Sequence, residues 1–225
     1  MPRPRLDDAR SRLLDAGLSL LARSGTEGVN TNAIARRAKV GVGTFYRHFP
    51  DKYALLRELQ VRTLAALQEA RRQAVAGLAR DGADPVVAVD RAVRAAVHFA
   101  RAHPEAYRVT FGRERLGPPR SRSTVAESSR PTAELLRRLQ RAGRLDPDLD
   151  VDLAARAHAT MEAGTLLWWL EAPKRAVAED LVDTLVRLHP VVAARRGSGP
   201  HAGGVPRGHE NDPSGHGVPD AREDR

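Results

Sequence analysis

The 225-residue chain has no cysteine. That removes disulfides, thiolate metal sites and cysteine nucleophiles, and it fits a reducing compartment. No apolar run approaches the roughly 18 residues of a membrane span; the stretch from Thr165 to Leu170 is far too short. The basic N-terminus lacks the apolar segment of a secretory signal. Nowhere does the two-residue alternation of a half-buried strand appear. Aromatic residues are scarce, with two Trp, three Tyr and four Phe. No Ser-His-Asp order, metal-ligand motif or phosphate loop is visible, so an enzyme built on the His, Asp and Glu content of residues 84–171 has little support. The expectation is an all-α, soluble, cytoplasmic protein that does not enter a membrane and has no cofactor, resident metal or catalytic residues.

What is abundant is positive charge. Lys and Arg number 37 against 28 Asp and Glu, a net charge of +9, and the sequence pI is near 10.9. A pI above about 9 suits a polyanionic partner, although many basic proteins share it. The charge sits in two blocks: residues 1–60 hold 11 basic and 6 acidic groups, and residues 101–144 hold 11 and 4. The balance reverses to 6 and 9 over residues 145–196 and to 3 and 5 over the last 29.

Helical spacing of apolar residues organises the chain. After a Pro/Arg-rich arm (Met1 to Arg5), Asp7 or Asp8 can cap a helix to Ser24 with Leu13, Ala16, Leu20 and Leu21 inward; Gly25 stops it. A two-turn helix from Val29 to Ala38 is capped by Asn30 or Thr31, and Lys39-Val40-Gly41 forms a turn. A third helix runs from Val42 to Phe49 and is closed by Pro50. Asp51 then caps a long helix from Lys52 to about Arg80. Further helices are expected over 86–102, from His103-Pro104-Glu105 through Tyr107 and Phe111 to Leu116, over 132–142, 151–170 and 175–195, with residues 117–131 as a polar arginine-rich loop or the frayed start of a helix. From Gly197 to Arg225 the composition turns to Gly, Pro, His, Asp and Ser, too polar to offset chain entropy, so this tail is expected to be disordered.

The segment from Val29 to Lys52 carries the clearest chemistry. A helix entering a major groove about 12 Å wide needs small or donor side chains outward and bulk behind. Val42, Gly43 and Thr44 are small, while Tyr46, Arg47, His48 and Lys52 supply donors that phosphate oxygens accept. Phe45 and Phe49 fall on the other face, where packing is the plainer role. Val42 can meet a thymine methyl, and Arg47 or Asn32 a base edge, but no guanine-reading arginine is placed unambiguously.

Here the pattern resembles the DNA-binding domain of the TetR family of bacterial regulators. The residues that carry it are Leu13, Gly25, Thr31, Ile34, Ala35 and Val40, then Gly43-Thr44-Phe45-Tyr46-Arg47-His48-Phe49, then Lys52, Leu55 and Leu56, about a quarter of the chain. The resemblance implies that Thr44, Tyr46, His48 and Lys52 contact phosphate or groove, and that Thr31 and Asn32 contact DNA from the second helix. It also implies a helical effector-binding and dimerisation domain, so the expected division is 1–51, 52–196 and the tail 197–225. Two residues depart from the pattern. Lys39 stands where glycine is usual, which demands a strained backbone or another turn geometry, and it is a candidate phosphate contact. Gly41 stands where a Ser-type cap is common.

The remaining two thirds is read by pattern alone. His98, Phe99, Tyr107, Phe111, Met161, Trp168 and Trp169 gather much of the scarce aromatic and methionine content, a candidate small-molecule effector pocket against the plainer reading of core packing. Ala154, Ala157, Met161, Gly164 and Trp168 form one stripe, and Val177, Leu181, Leu185 and Leu188 another. Paired across a two-fold axis they would make a homodimer, able to read the two half-sites of a (pseudo)palindromic operator. The function expected is a homodimeric repressor released from double-stranded DNA by its effector, with a constitutive DNA binder as the alternative.

Overall fold

The computed structural model describes residues 6–78, 84–112 and 124–196. The N-terminal arm, Arg113, Arg115, Arg120 and Arg122 of the arginine-rich block, and the tail from residue 197 lie outside them. Among the described residues every regular element is a helix: α1 (Leu6–Ser24), α2 (Thr31–Arg37), α3 (Val42–His48), α4 (Lys52–Ala74), α5 (Pro85–Ala102), α6 (Pro104–Phe111), α7 (Thr124–Arg141), α8 (Val151–Glu171), α9 (Ala178–Arg187) and α10 (Pro190–Arg196).

Side-chain caps set four of the helix starts. Asn30 Oδ1 accepts from the Ala33 amide at 2.8 Å and Asp51 Oδ1 from Ala54 at 2.6 Å. Asp84 serves Val86, and Asp150 serves Asp152 and Leu153; each occupies a donor the helix leaves free. At the end of α1, Gly25 takes φ 64, and its amide returns to the Leu21 carbonyl.

Two apolar cores form. The first joins Leu13, Leu21, Ile34, Phe45, Phe49, Leu55, Leu56 and Leu59 from α1–α4 and the loops between them, together with Val109 of α6. The second gathers Leu67, Val93, Phe99, Tyr107, Leu136, Leu166, Trp169 and Leu185 from α4 to α9. Helix α4, which starts just after residue 51, therefore contributes to both. Helix α6 contributes to both as well, Tyr107 to one core and Val109 to the other.

Three expected elements differ. The long fourth helix ends at Ala74 rather than near Arg80, with Gly77 at φ 90 in the turn that follows. Residues 124–131, expected in a loop or frayed start, are the ordered first turns of α7, with Pro131 inside the helix. The proline is exposed, whereas Ser129, Ala133 and Leu136, spaced four and three apart, are buried. Packing of that stripe offsets the lost backbone bond. The last helix is split at Leu188-His189, because Pro190 has no amide to donate and disfavours helical backbone at the residue before it.

The second core also encloses charge. Arg71 of α4 pairs with Glu162 of α8, both largely buried. Tyr107 of α6 is buried, and its phenol is pushed far above its usual range, first by burial and then by the charge of Glu162, with Arg71 opposing. His158 and His189 lie with ring centroids 4.3 Å apart. Burial lowers the His158 pKa, Glu162 and the Leu185 backbone raising it and Arg71 lowering it. Burial, His158 and Arg71 together hold His189 down to about 3.

Both histidines are thus neutral in the native chain near neutral pH and charge freely once it unfolds. Below about pH 6.5 the unfolded chain binds protons that the native chain does not, so both histidines cost stability on acidification, His189 by about 1.4 kcal/mol per pH unit. For His189 that window runs from its unfolded value down to about 3. Denaturant unfolding of His189→Phe should lose less stability than the unsubstituted chain between about pH 7 and pH 5; an equal loss would mean His189 is not held neutral.

Candidate nucleic-acid interface

Helices α2 and α3 have only seven residues each, too short to persist alone. Tertiary contacts hold them. Phe45 is fully buried, which stabilises α3 by about 3 kcal/mol relative to exposure. Its ring meets Tyr46 edge-on at 5.5 Å and Phe49 at 5.9 Å. The guanidinium of Arg10 sits 5.2 Å from the Phe49 ring while pairing with Glu58, which also binds Arg62. These contacts tie α1 and α3 to the first turns of α4.

With Phe45 and Phe49 inward, the opposite side of α3 is left to solvent. Val42 and Tyr46 are exposed at 39% and 54%, and Gly43 and Arg47 are exposed beside them. A Cβ placed on Gly41 or Gly43 would meet nothing within 4 Å, so no packing inside the chain calls for their smallness. Tyr46 Oη lies 3.2 Å from Thr31 Oγ1, joining α3 to the start of α2. Arg47 Nη2 donates to Thr44 Oγ1 at 3.0 Å. Asn32 is exposed on α2, next to Thr31. Thr31, Asn32, Val42, Gly43, Thr44, Tyr46 and Arg47 therefore belong to one region of the surface.

The other three candidates differ. His48 is half-buried, with Nε2 enclosed and unpartnered. Lys39 is exposed at φ 56, the one positive-φ residue other than glycine among the described residues; the turn keeps the glycine geometry and strains the lysine. Gly41 caps α3 with extended backbone and no side-chain bond. Lys52 is turned inward: Nζ donates to the Thr26 carbonyl at 2.7 Å and the Val29 carbonyl at 3.0 Å. It latches the α1–α2 loop, which leaves at most one of its three donors for a ligand.

The pocket and dimer candidates are not brought together as expected. His98 is exposed over a shallow depression between α5 and α9, and Trp168 is 42% exposed on α8. Phe99 and Tyr107 are buried, Phe111 lies 4.6 Å from the Tyr107 ring, and Met161 packs against the second core. Of the six, His98 alone lines that depression. The cause is helical phase: α5 turns Val93, Ala96, Val97 and Ala100 inward, and α8 turns Ala155, Ala159, Glu162, Leu166 and Trp169 inward. Leu181 and Leu185 are likewise buried in the chain's own core and offer no surface, whereas Ala157, Gly164 and Leu188 are exposed.

Sequence reading missed Arg71, His158, Glu162 and His189. One signal was present: His158 and Glu162 stand four apart in an otherwise largely apolar run of α8, a spacing that places both on one face.

Lys39→Gly should raise the stability of the DNA-free chain by about 1 kcal/mol, since left-handed backbone costs a side-chain-bearing residue roughly that much. Thermal or denaturant unfolding measures it; an unchanged midpoint would show that the lysine is not strained.

Comparison with known proteins agrees with this geometry. Residues 13–59 match the family model for bacterial regulatory proteins, tetR family. The HTH-type transcriptional repressor KstR of Rhodococcus jostii is 51% identical over 49 residues, 22% of this chain and 23% of that protein. KstR of Mycobacterium tuberculosis is 41% identical over 71 residues, 31% of this chain and 32% of that one. The matches thus span about a quarter to a third of these relatives. In fold, the chain is similar to a putative tetR family transcription regulator from Shewanella sp. PV-4, with TM-score 0.68 and 22% identity over 81% of this chain and 96% of that one. It is also similar to the Bacillus subtilis regulator FadR, solved in complex with stearoyl-CoA, with TM-score 0.67 and 16% identity over 81% of this chain and 98% of that one. Residues 13–59 therefore carry the DNA-binding domain of the tetR family of bacterial regulatory proteins, and the chain as a whole has the all-helical fold of solved TetR-family regulators.

Proposed function

We propose that the chain is a homodimeric transcriptional repressor that holds a (pseudo)palindromic operator and releases it when a small molecule binds the α4–α10 body. The observation that carries the DNA-binding part is the outer side of α3. Its exposed members are small or donor-bearing, and two glycines there face open space rather than protein. Val42 and Gly43 let the backbone approach the bases. Thr31, Thr44, Tyr46 and Lys39 offer donors to phosphate, and Asn32 and Arg47 reach toward base edges. His48 is half-buried with Nε2 enclosed, so it borders this surface rather than donating from it. Lys52 acts mainly by holding the α1–α2 loop. Repression is suggested by the KstR relatives, and effector control by the FadR structure with its acyl-CoA.

A second copy of the chain is supported by the outer stripe of α8. Leu153, Ala157, Gly164 and Trp168 are all exposed at helical spacing, and Leu188 is exposed at the end of α9. A Cβ on Gly164 would meet nothing within the chain, so a close-packed neighbour gives its smallness a purpose. Two α3 helices are needed to read half-sites about 34 Å or a multiple apart.

The coupling follows from the two cores. Helix α6 packs on α1, α4 and α8, with Val109 in the first core and Tyr107 in the second. A ligand that shifts α6 or α4 moves α1–α3 with it and changes the distance between recognition helices. It need only bind the released state more tightly than the DNA-bound one.

DNA selected from a random pool by the chain should show a two-fold repeat, with log K falling steeply against log salt; a flat slope would defeat the interface. Gly43→Leu should leave the helical content and melting unchanged, because the position is open, yet weaken operator binding at least tenfold by holding α3 off the bases. Trp168→Glu should convert the dimer to a folded monomer by sedimentation at micromolar concentration; a wild-type monomer there would remove the two-fold reading.

A further inference from the structure

Arg71, Glu162, His158, His189 and Tyr107 form a polar group inside an apolar core, and their pairing is incomplete. Arg71 reaches Glu162 through Nη2, but its Nε is buried without a partner. His158 is 6% exposed, and its Nε2 is also enclosed and unpartnered. Stability does not account for the group, since a buried ion pair seldom contributes more than well-packed apolar side chains of the same volume. Enclosed polar atoms without partners call for a hydrogen-bonding group that the chain itself does not supply. Among the described residues no three His, Asp or Glu side chains are placed to hold a metal ion, and the unfilled guanidinium donor calls for an oxygen acceptor rather than a cation.

The spacing along α8 supplies a mechanism. His158 stands one turn before Glu162 on the same face, so Glu162 has a second partner available once His158 carries a proton. We propose that this group is a recognition site for an apolar carboxylate, which takes Arg71 from Glu162 while His158 takes up a proton from solvent and pairs with Glu162 in its place. The inference rests on the effector-responsive reading of the α4–α10 body and names the ligand class of that body.

Charge balances at each step. Before binding, Arg71 is matched by Glu162; afterwards it is matched by the ligand carboxylate, and Glu162 by the His158 imidazolium. The carboxylate is suited to the exchange because it can engage the guanidinium with two parallel bonds. The charge of Arg71 opposes protonation of His158 and that of Glu162 favours it, so neutralising Arg71 shifts His158 toward the charged form. The other groups facing it do not compete: Tyr107 from α6 stays a neutral phenol, and His189, between α9 and α10, stays neutral because burial, His158 and Arg71 all oppose its charge. The rest of the ligand is mainly apolar because most of the buried side chains of this body are. The exchange separates α4 from α8 at Arg71, beside the α6 residue whose neighbour two positions on lies in the first core.

The test is isothermal titration of the full chain with sodium octanoate and with octan-1-ol, in buffers of different ionisation heat, at about pH 6 and pH 8. Octanoate should bind at least about tenfold tighter than the alcohol, more tightly at the lower pH, and with uptake of about one proton per chain. Arg71→Met combined with Glu162→Gln removes both charges together and should abolish the preference for octanoate. If that pair does not fold by circular dichroism, His158→Gln decides, by losing the proton uptake. Equal binding of acid and alcohol, no proton uptake, or no octanoate binding at all would each overturn the proposal. Operator binding by the same samples is read separately, so failure here is distinct from failure of the DNA-binding reading.

Discussion

Helix α4 cannot tilt without disturbing two cores. Its first turns carry Leu55, Leu56 and Leu59 into the packing of α1–α3, and Leu67 lies about two turns beyond Leu59 in the packing of the larger body. Close-packed interiors transmit displacement rather than absorb it, so the orientation of α3 is bound to the state of the second core. The Arg10–Glu58–Arg62 cluster reinforces the first junction from the polar side. The proposed coupling between the two cores depends on that shared helix and on α6, which fastens to both cores a second time.

The recognition unit shows a consistent trade between local propensity and function. Helix α3 starts on an uncapped Gly41, contains Gly43, and follows a turn that holds a lysine in left-handed backbone. Each feature costs local stability. The large apolar anchors Phe45 and Phe49 behind the helix offset those costs, leaving the outer side free for small residues and donors. Such conflicts between local preference and global structure are expected where a surface is shaped for a partner.

Much of this was legible before any coordinates. Helix order, the caps at Asp51 and Asn30, the stop at Gly25 and the demand for left-handed backbone at Lys39 follow from side-chain chemistry within a few residues of each feature. The breaks near Pro131 and Pro190 were misjudged in opposite directions. One proline is tolerated because a buried stripe holds α7 together around it, and the other splits a helix whose apolar pattern runs past it. Proline's local effect is constant; what surrounds it decides whether the helix survives.

The sequence by itself determined the all-helical class and the exposed outer side of α3, because both depend on periodicity and on neighbours a turn or two apart. Tertiary structure alone decided where the long side chains go. Lys52 turned from a candidate phosphate contact into a latch on the Thr26 and Val29 carbonyls, 26 and 23 residues away. Leu181 and Leu185 turned from candidate interface into core. Arg71 met Glu162 across 91 residues, a pairing no local pattern encodes, because it depends on how α4 and α8 pack and on the phase with which each presents its faces.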